Sequence, residues 1–167
     1  TYNGTGNGYD EANSIAVDGS GNVYVTGGSA GIGTSFDYAT IKYNSAGVQQ
    51  WVQRYNGTAS FLDEANSIAV DASGNVYVTG GSNGSGTGTD YATIKYNSAG
   101  VQQWLQRYNG TGSDIDIANS IDVDGSGNVY VTGYSTGNSS GEDYATIKYN
   151  SAGVQQWVQR YNGSGNN

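Results

Sequence analysis

The sequence predicts an all-β fold: β-propeller blades, as three tandem four-stranded antiparallel sheets of 53 residues each. Three observations predict it. The chain repeats itself at a fixed spacing of 53 residues, from Tyr2 to Tyr55, Tyr108 and Tyr161. Each repeat alternates short apolar runs with Asx- and Gly-bearing turns. The 28 glycines and the absence of proline accompany 15 tyrosines and three tryptophans, residues that favour pleated, half-buried surfaces.

The repeat comes first, because overlooking it would misassign everything else. Val17, Val70 and Val123 follow the same spacing, as do Trp51, Trp104 and Trp157, with no insertion or deletion. Taking Tyr2–Arg54, Tyr55–Arg107 and Tyr108–Arg160 as units, 38 of 53 columns are identical in all three.

Within a unit, strand A is expected over roughly Ala12–Val17 and strand B over Asn22–Gly27. Strand C covers Asp37–Tyr43 and strand D Val48–Tyr55. The A–B connection, Asp18-Gly19-Ser20-Gly21, and the C–D connection, Asn44-Ser45-Ala46-Gly47, have the chemistry of tight hairpin turns. Four antiparallel strands in about 50 residues match one propeller blade. The lack of a 3.6-residue apolar period excludes a helical solenoid. Blades are expected at 9–56, 62–109 and 115–162, with 1–8 as the end of a preceding blade's outer strand and 163–167 as a tail.

The strings SIAVDGSGNVYVTG (Ser14–Gly27) and DYATIKYNSAGVQQWVQRYNG (Asp37–Gly57) resemble the SBBP repeat, a bacterial and archaeal β-propeller repeat, and more distantly NHL-type blades. The resemblance covers essentially the whole chain. It implies a place in a large secreted or cell-surface protein, commonly without a defined activity. One departure is that Thr5, Thr58 and Thr111 follow Tyr-Asn-Gly where the family pattern leads one to expect proline.

The copies differ mainly in two windows, Gly6–Tyr9 (with 59–62 and 112–115) and Ala30–Phe36 (with 83–89 and 136–142). These are the D–A link and the B–C loop. In an antiparallel blade both emerge on one rim, and the nearly invariant A–B and C–D turns lie on the other. The varied rim is where a glycan or protein ligand would bind, through Tyr9, Phe36, Phe61 and Leu62. The competing explanation is that these are simply the longest loops, free to drift. The same rim collects candidate glycosylation acceptors at Asn3, Asn56, Asn83, Asn109, Asn138 and Asn162, each opening an Asn-X-Ser/Thr triplet.

The net charge of −8 repels phosphate backbones, so no nucleic-acid partner is expected. No apolar run reaches 18 residues, so no membrane insertion by a helix is expected. Without histidine or cysteine, the usual general bases, thiol nucleophiles and zinc ligands are missing, and no phosphate-binding fingerprint replaces them. The chain is read as a non-enzyme with no required cofactor. Calcium is the one ionic alternative. Asp10, Asp63 and Asp116 form one acidic column and Asp37, Asp90 and Asp143 another, both near the varied rim. Asx-turn capping explains such aspartates more cheaply.

Trp51, Trp104 and Trp157, with Tyr43, Tyr96 and Tyr149, are expected to pack between blades, and Arg54, Arg107 and Arg160 to be solvated or paired. Propellers close with about four to eight blades, so three leave two blade faces uncovered. The expected partners are further blades of a longer parent or a second copy meeting the first head to tail, as a ring or a filament. Thr1–Gly4 duplicates the end of a strand D, and Tyr161–Asn167 stops at the equivalent point, which favours a segment of a longer array. The functional expectation is an extracellular or cell-surface scaffold module, with glycan or protein recognition as the alternative.

Overall fold

In the computed structural model, which describes residues 2–59, 61–112, 114–138 and 141–163, the regular structure is entirely β. The first blade comprises β1 (Asp10–Val17), β2 (Val23–Ala30), β3 (Phe36–Tyr43) and β4 (Gln49–Tyr55). The second comprises β5 (Asp63–Val70), β6 (Val76–Gly84), β7 (Gly88–Tyr96) and β8 (Gln102–Tyr108). The third comprises β9 (Asp116–Val123), β10 (Val129–Gly137), β11 (Gly141–Tyr149) and β12 (Gln155–Tyr161). Each blade is an antiparallel meander with its strands paired in chain order. β5 packs across β1, β2 and β3, and β9 across β5, β6 and β7, so the first strands lie side by side at the inner edge.

The turn chemistry sets the hairpin registers. Asp18 Oδ1 accepts from the amides of Ser20 and Asn22 at 2.9 and 3.0 Å, and Gly21 N closes back on Asp18 O at 3.0 Å. Gly21 sits at φ +77°, a left-handed conformation that favours glycine. Asn44 organises the β3–β4 turn in the same way, holding the amides of Ala46 and Val48. The side chains of Asn22 and Tyr24 also donate to Asp18 Oδ2. Led by the Asn22 side-chain bond, these donors lower the Asp18 carboxyl to about 2.

One irregularity recurs. The β1–β2 register slips at Asn13, and the same slip falls at Asn66 and Asn119. Opposite the bulge, a Cβ on Gly27, Gly80 or Gly133 would collide with the carbonyl of Glu11, Glu64 or Ile117. Glycine lets the strands approach there, and the bulge turns the asparagine out of its sheet toward the next blade.

Period-two alternation gives every blade two unlike faces. On the first blade, Ala12, Ile15, Val25, Ala39, Ile41 and Tyr43 form an aliphatic face, and Tyr24, Thr26, Tyr38, Trp51 and Tyr55 an aromatic one. The aromatic face of the first blade meets the aliphatic face of the second, and that of the second meets the third. One buried cluster joins Tyr24 and Tyr38 to Ala65, Ile68, Val78, Ala92, Ile94 and Tyr96. A second joins Tyr77 and Tyr91 to their counterparts in the third blade. The core is thus two inter-blade layers, not the interior of any one sheet.

Candidate functional site

The two internal interfaces define what an open blade face lacks. Across the first, Asn13 Nδ2 donates to Ala65 O at 3.0 Å and Tyr38 Oη to Ala92 O at 3.2 Å. Lys42 Nζ and Trp51 Nε1 both donate to Ser98 O, at 3.3 and 3.2 Å. Across the second, Asn66, Tyr91, Lys95 and Trp104 reach Ala118, Ala145 and Ser151 in the same way. Trp51 also packs between Tyr24 of its own blade and Tyr96 of the next, with centroids 6.2 Å from each. This is the inter-blade packing expected of the tryptophan and tyrosine columns. Burial pushes the Tyr38 and Tyr91 hydroxyls well up, so they stay protonated as donors. These donors lie on the aromatic side and their acceptors on the aliphatic side, whereas Arg107 and Arg160 donate in the opposite sense to Tyr55 Oη and Tyr108 Oη, and Ile121 N to Ser67 Oγ.

At the two ends of the molecule each half stands alone. Ile15 is 65 % exposed, whereas its counterparts Ile68 and Ile121 are each 7 % exposed. Tyr144 is 68 % exposed, against 1 % for Tyr38 and 0 % for Tyr91. Tyr144 stacks on Tyr161 with planes 22° apart, whereas the covered pairs Tyr38–Tyr55 and Tyr91–Tyr108 meet edge to face at 74° and 63°. On the first blade a hollow of about 230 Å³ opens among Tyr2, Ala12, Val25, Ala39, Ile41 and Tyr43. Shifted by one repeat, the last five become Ala65, Val78, Ala92, Ile94 and Tyr96, which receive Tyr38. The hollow has the lining that, one repeat on, receives a tyrosine.

The varied rim carries a polar network that repeats in each blade. Arg54 curls over from β4, and its Nη2 donates to Ser29 O at 2.8 Å and to Asp37 Oδ2 at 2.9 Å. Its Nη1 donates to Ser29 Oγ and to Tyr2 Oη, at 2.5 and 3.1 Å. Ser29 Oγ donates in turn to Asp10, which also accepts from Gly4 N. Arg107 with Asp90, and Arg160 with Asp143, repeat the ion pair at 2.8 and 3.0 Å. Arginine therefore stands between the two acidic columns considered for calcium. Among the described residues, no group of three or more carboxylates is placed to hold a metal ion. Asp10 and Asp63 differ in burial. Asp10 is held below the usual carboxylate value by Ser29, Gly4 and Arg54. Burial pushes Asp63 above it, despite the donors Ser82, Gly57 and Asn83.

Beyond the network, Tyr9 and Phe36 meet edge to face with centroids 6.0 Å apart, and Phe61 and Leu62 are exposed. Ile115 occupies the column of Tyr9 and Leu62 and is exposed beside the same rim. It belongs with the candidate binding residues, and its signal was an apolar residue of any shape at one column in every copy. A smaller hollow lies near this rim among Leu62, Glu64, Asn66, Gly81, Thr89 and Ile117. The hydrogen bonds Gly6 N to Ala30 O and Gly112 N to Thr136 O tie the D–A link to the B–C loop. Asn3, Asn56, Asn109, Asn138 and Asn162 are exposed, although Ser140 and Ser164, which complete two of the triplets, lie outside the described residues. Asn83 is engaged, its Nδ2 donating to Leu62 O at 2.7 Å.

Comparison with known proteins agrees with this geometry. A family model described as a beta-propeller repeat, SBBP, matches residues 1–33, 50–86 and 103–139. An uncharacterized WD repeat-containing protein of Acanthamoeba polyphaga mimivirus is 29% identical, with 73% of this chain and 10% of that protein covered. The chain thus spans about a tenth of that curated relative's length. A crystal structure of the eukaryotic initiation factor superposes with a TM-score of 0.58 at 6% identity, over 91% of this chain and 32% of that one, a likeness of fold alone. A fucose lectin from Kordia zhangzhouensis superposes with a TM-score of 0.49 at 13% identity, over 92% of this chain and 100% of that one. With three matches spread over most of its length, the chain belongs to the SBBP beta-propeller repeat family.

Proposed function

We propose that the chain is a non-catalytic structural module of an extracellular or cell-surface assembly, a fibre, surface layer or large adhesin, in which like blades join head to tail. One observation carries this reading. The hollow on the first blade repeats the seat that takes Tyr38 and Tyr91 inside the molecule, and the third blade holds the matching Tyr144 uncovered. Further blades of a longer parent, or a second copy, supply both halves. Asn119, Tyr144, Lys148 and Trp157 of one copy find the carbonyls of Ala12, Ala39 and Ser45 of the other. Fully burying one large apolar side chain contributes about 1.5–3 kcal/mol, so a whole blade face is a substantial drive. The contact is heterologous and closes into a ring or extends as a filament. The sequons on the rim support a place outside the cell. The acidic columns are held by arginine, serine and backbone donors, which suits a structural role.

Light scattering through a dilution series tests the reading. The 167-residue chain is expected at multiples of 17.3 kDa, and Tyr144→Asp at a single mass with its dilute melting temperature unchanged. A 167-residue chain that stays a monomer at every concentration overturns it.

A second reading, recognition of a glycan or protein, is favoured by the exposed apolar column Tyr9, Leu62 and Ile115 beside Phe61. A glycan array and a pull-down should then give signals that Tyr9→Ala and Phe61→Ala abolish. Blank results in both would remove this reading.

A further inference from the structure

The two internal interfaces treat one place near the varied rim differently. Across the first, Gly28, Phe36 and Glu64 meet: a Cβ on Gly28 would stand 3.0 Å from the Phe36 ring and 3.5 Å from Glu64 Cγ. One repeat on, the same columns hold Gly81, Thr89 and Ile117, and a Cβ on Gly81 would stand 3.0 Å from Thr89 Cγ2 and 3.3 Å from Ile117 Cγ1. The third blade carries a ring at the glycine position itself, as Tyr134, in register with Ile117 and Tyr144. An aromatic ring thus belongs to this part of the first and third blades, and the second has threonine and glycine instead.

Between the second and third blades lies the hollow among Leu62, Glu64, Asn66, Gly81, Thr89 and Ile117, about 170 Å³ in volume. A cavity of roughly 150 Å³ is enough to hold benzene. Leu62 on its wall is exposed, as are Phe61 and Ile115, and Ile115 is bridged to Thr89. Apolar surface therefore runs from the hollow out onto the rim. The charge beside it is negative. Glu64 lines the hollow, and Asp114 is exposed with its carbonyl against Gly88. The basic side chains are engaged elsewhere. Lys42 and Lys95 bond to Ser98 and Ser151 at the opposite rim, Lys148 lies over Tyr130, and the arginines pair with Asp37, Asp90 and Asp143.

We propose that this hollow is a docking seat for a protein segment that inserts an aromatic side chain and sets a basic one beside it. The inference rests on the recognition reading of the varied rim and names its ligand. The ring takes the place that Phe36 fills at the first interface, and the basic group meets Glu64 and Asp114. Thr89 determines specificity, because a phenylalanine there would close the seat from within.

NMR titration of the 167-residue chain tests this with three blocked peptides: Gly-Phe-Arg-Gly, and counterparts with alanine for phenylalanine or glutamate for arginine. The first should shift the amides of Gly81, Thr89 and Ile117. The alanine peptide should bind about tenfold or more weakly, as for the loss of a buried ring. The glutamate peptide should bind about twofold to fivefold more weakly at low salt. Thr89→Phe should raise the melting temperature by filling the hollow, and abolish the shifts. No shift with the phenylalanine peptide at millimolar concentration overturns the seat. So does equal binding of either counterpart, or undiminished binding to a folded Thr89→Phe chain. In those cases a glycan-array or pull-down signal lost in Phe61→Ala leaves recognition at the rim standing, and blanks there as well remove both.

Discussion

Trp51 lies flat against Gly100, so close that a Cβ on that glycine would stand 2.9 Å from the indole. The tryptophan of one blade is bedded on the β7–β8 turn of the next, and its Nε1 bonds to Ser98 O in that turn. Trp104 and Gly153 repeat the relationship, and Gly47, in the first blade's turn, has nothing within 4 Å.

Three chemically identical substitutions should therefore differ in cost. All three glycines have φ near +80°, so alanine pays about 1–2 kcal/mol of left-handed strain at each. Gly100→Ala and Gly153→Ala also drive a methyl into an indole and should lose about 1–3 kcal/mol more than Gly47→Ala. Urea unfolding of the dilute monomer checks this, and equal losses at all three sites would contradict the bedding.

The asparagine bulges offer a second internal comparison. Asn66 Nδ2 reaches Ala118 O at 2.9 Å, while Asn119, at the same register, is exposed. Asn66→Ala should cost about 0.5–1.5 kcal/mol and Asn119→Ala close to nothing. Denaturation midpoints that shift alike would show that the bulge serves only its own sheet.

The rim arginines are predicted to resist conservative exchange. Arg107 contacts Asp90, Ser82 and Tyr55 through both terminal nitrogens. Lysine cannot reproduce that fork, so Arg107→Lys should destabilise by about 1–3 kcal/mol. A lysine variant as stable as the parent, measured by thermal melting, would mean that the network is solvated and contributes little.

Acid sensitivity should arise at the opposite rim. The Asp18 and Asp124 carboxyls are lowered from 3.8 to about 2, in each case chiefly by a side-chain bond from Asn22 or Asn128. Asp71 is lowered as well: burial, the largest effect, raises it, but the combined donors led by Asn75 outweigh that. A depressed folded value means stability that is present above about 4 and lost as pH falls toward 2. The triple variant Asp18→Asn, Asp71→Asn, Asp124→Asn should show a shallower fall in melting temperature over that range. Parallel curves for parent and variant would refute the assignment.

Much of this architecture was legible in the chain itself. The fixed spacing, the alternation along Val23–Gly27 and Asp37–Tyr43, and the Asp18 and Asn44 turns dictate four-stranded sheets, because each is a local consequence of backbone geometry and period. They also dictate that three blades by themselves leave two unlike faces uncovered. What the linear order could not reveal is which groups meet across 47 to 56 residues of intervening chain, as Trp51, Asn13, Tyr38 and Lys42 do with the next blade. The acidic columns show the difference. In sequence Asp10 and Asp37 read more cheaply as turn caps, with ion ligation as the alternative. Only the folding of β4 over the rim, bringing Arg54 between them, decided their partners. Repetition specifies the unit, whereas the charge and hydrogen bonds at a rim depend on how units stack, a property of the assembled surface and not of any local run of residues.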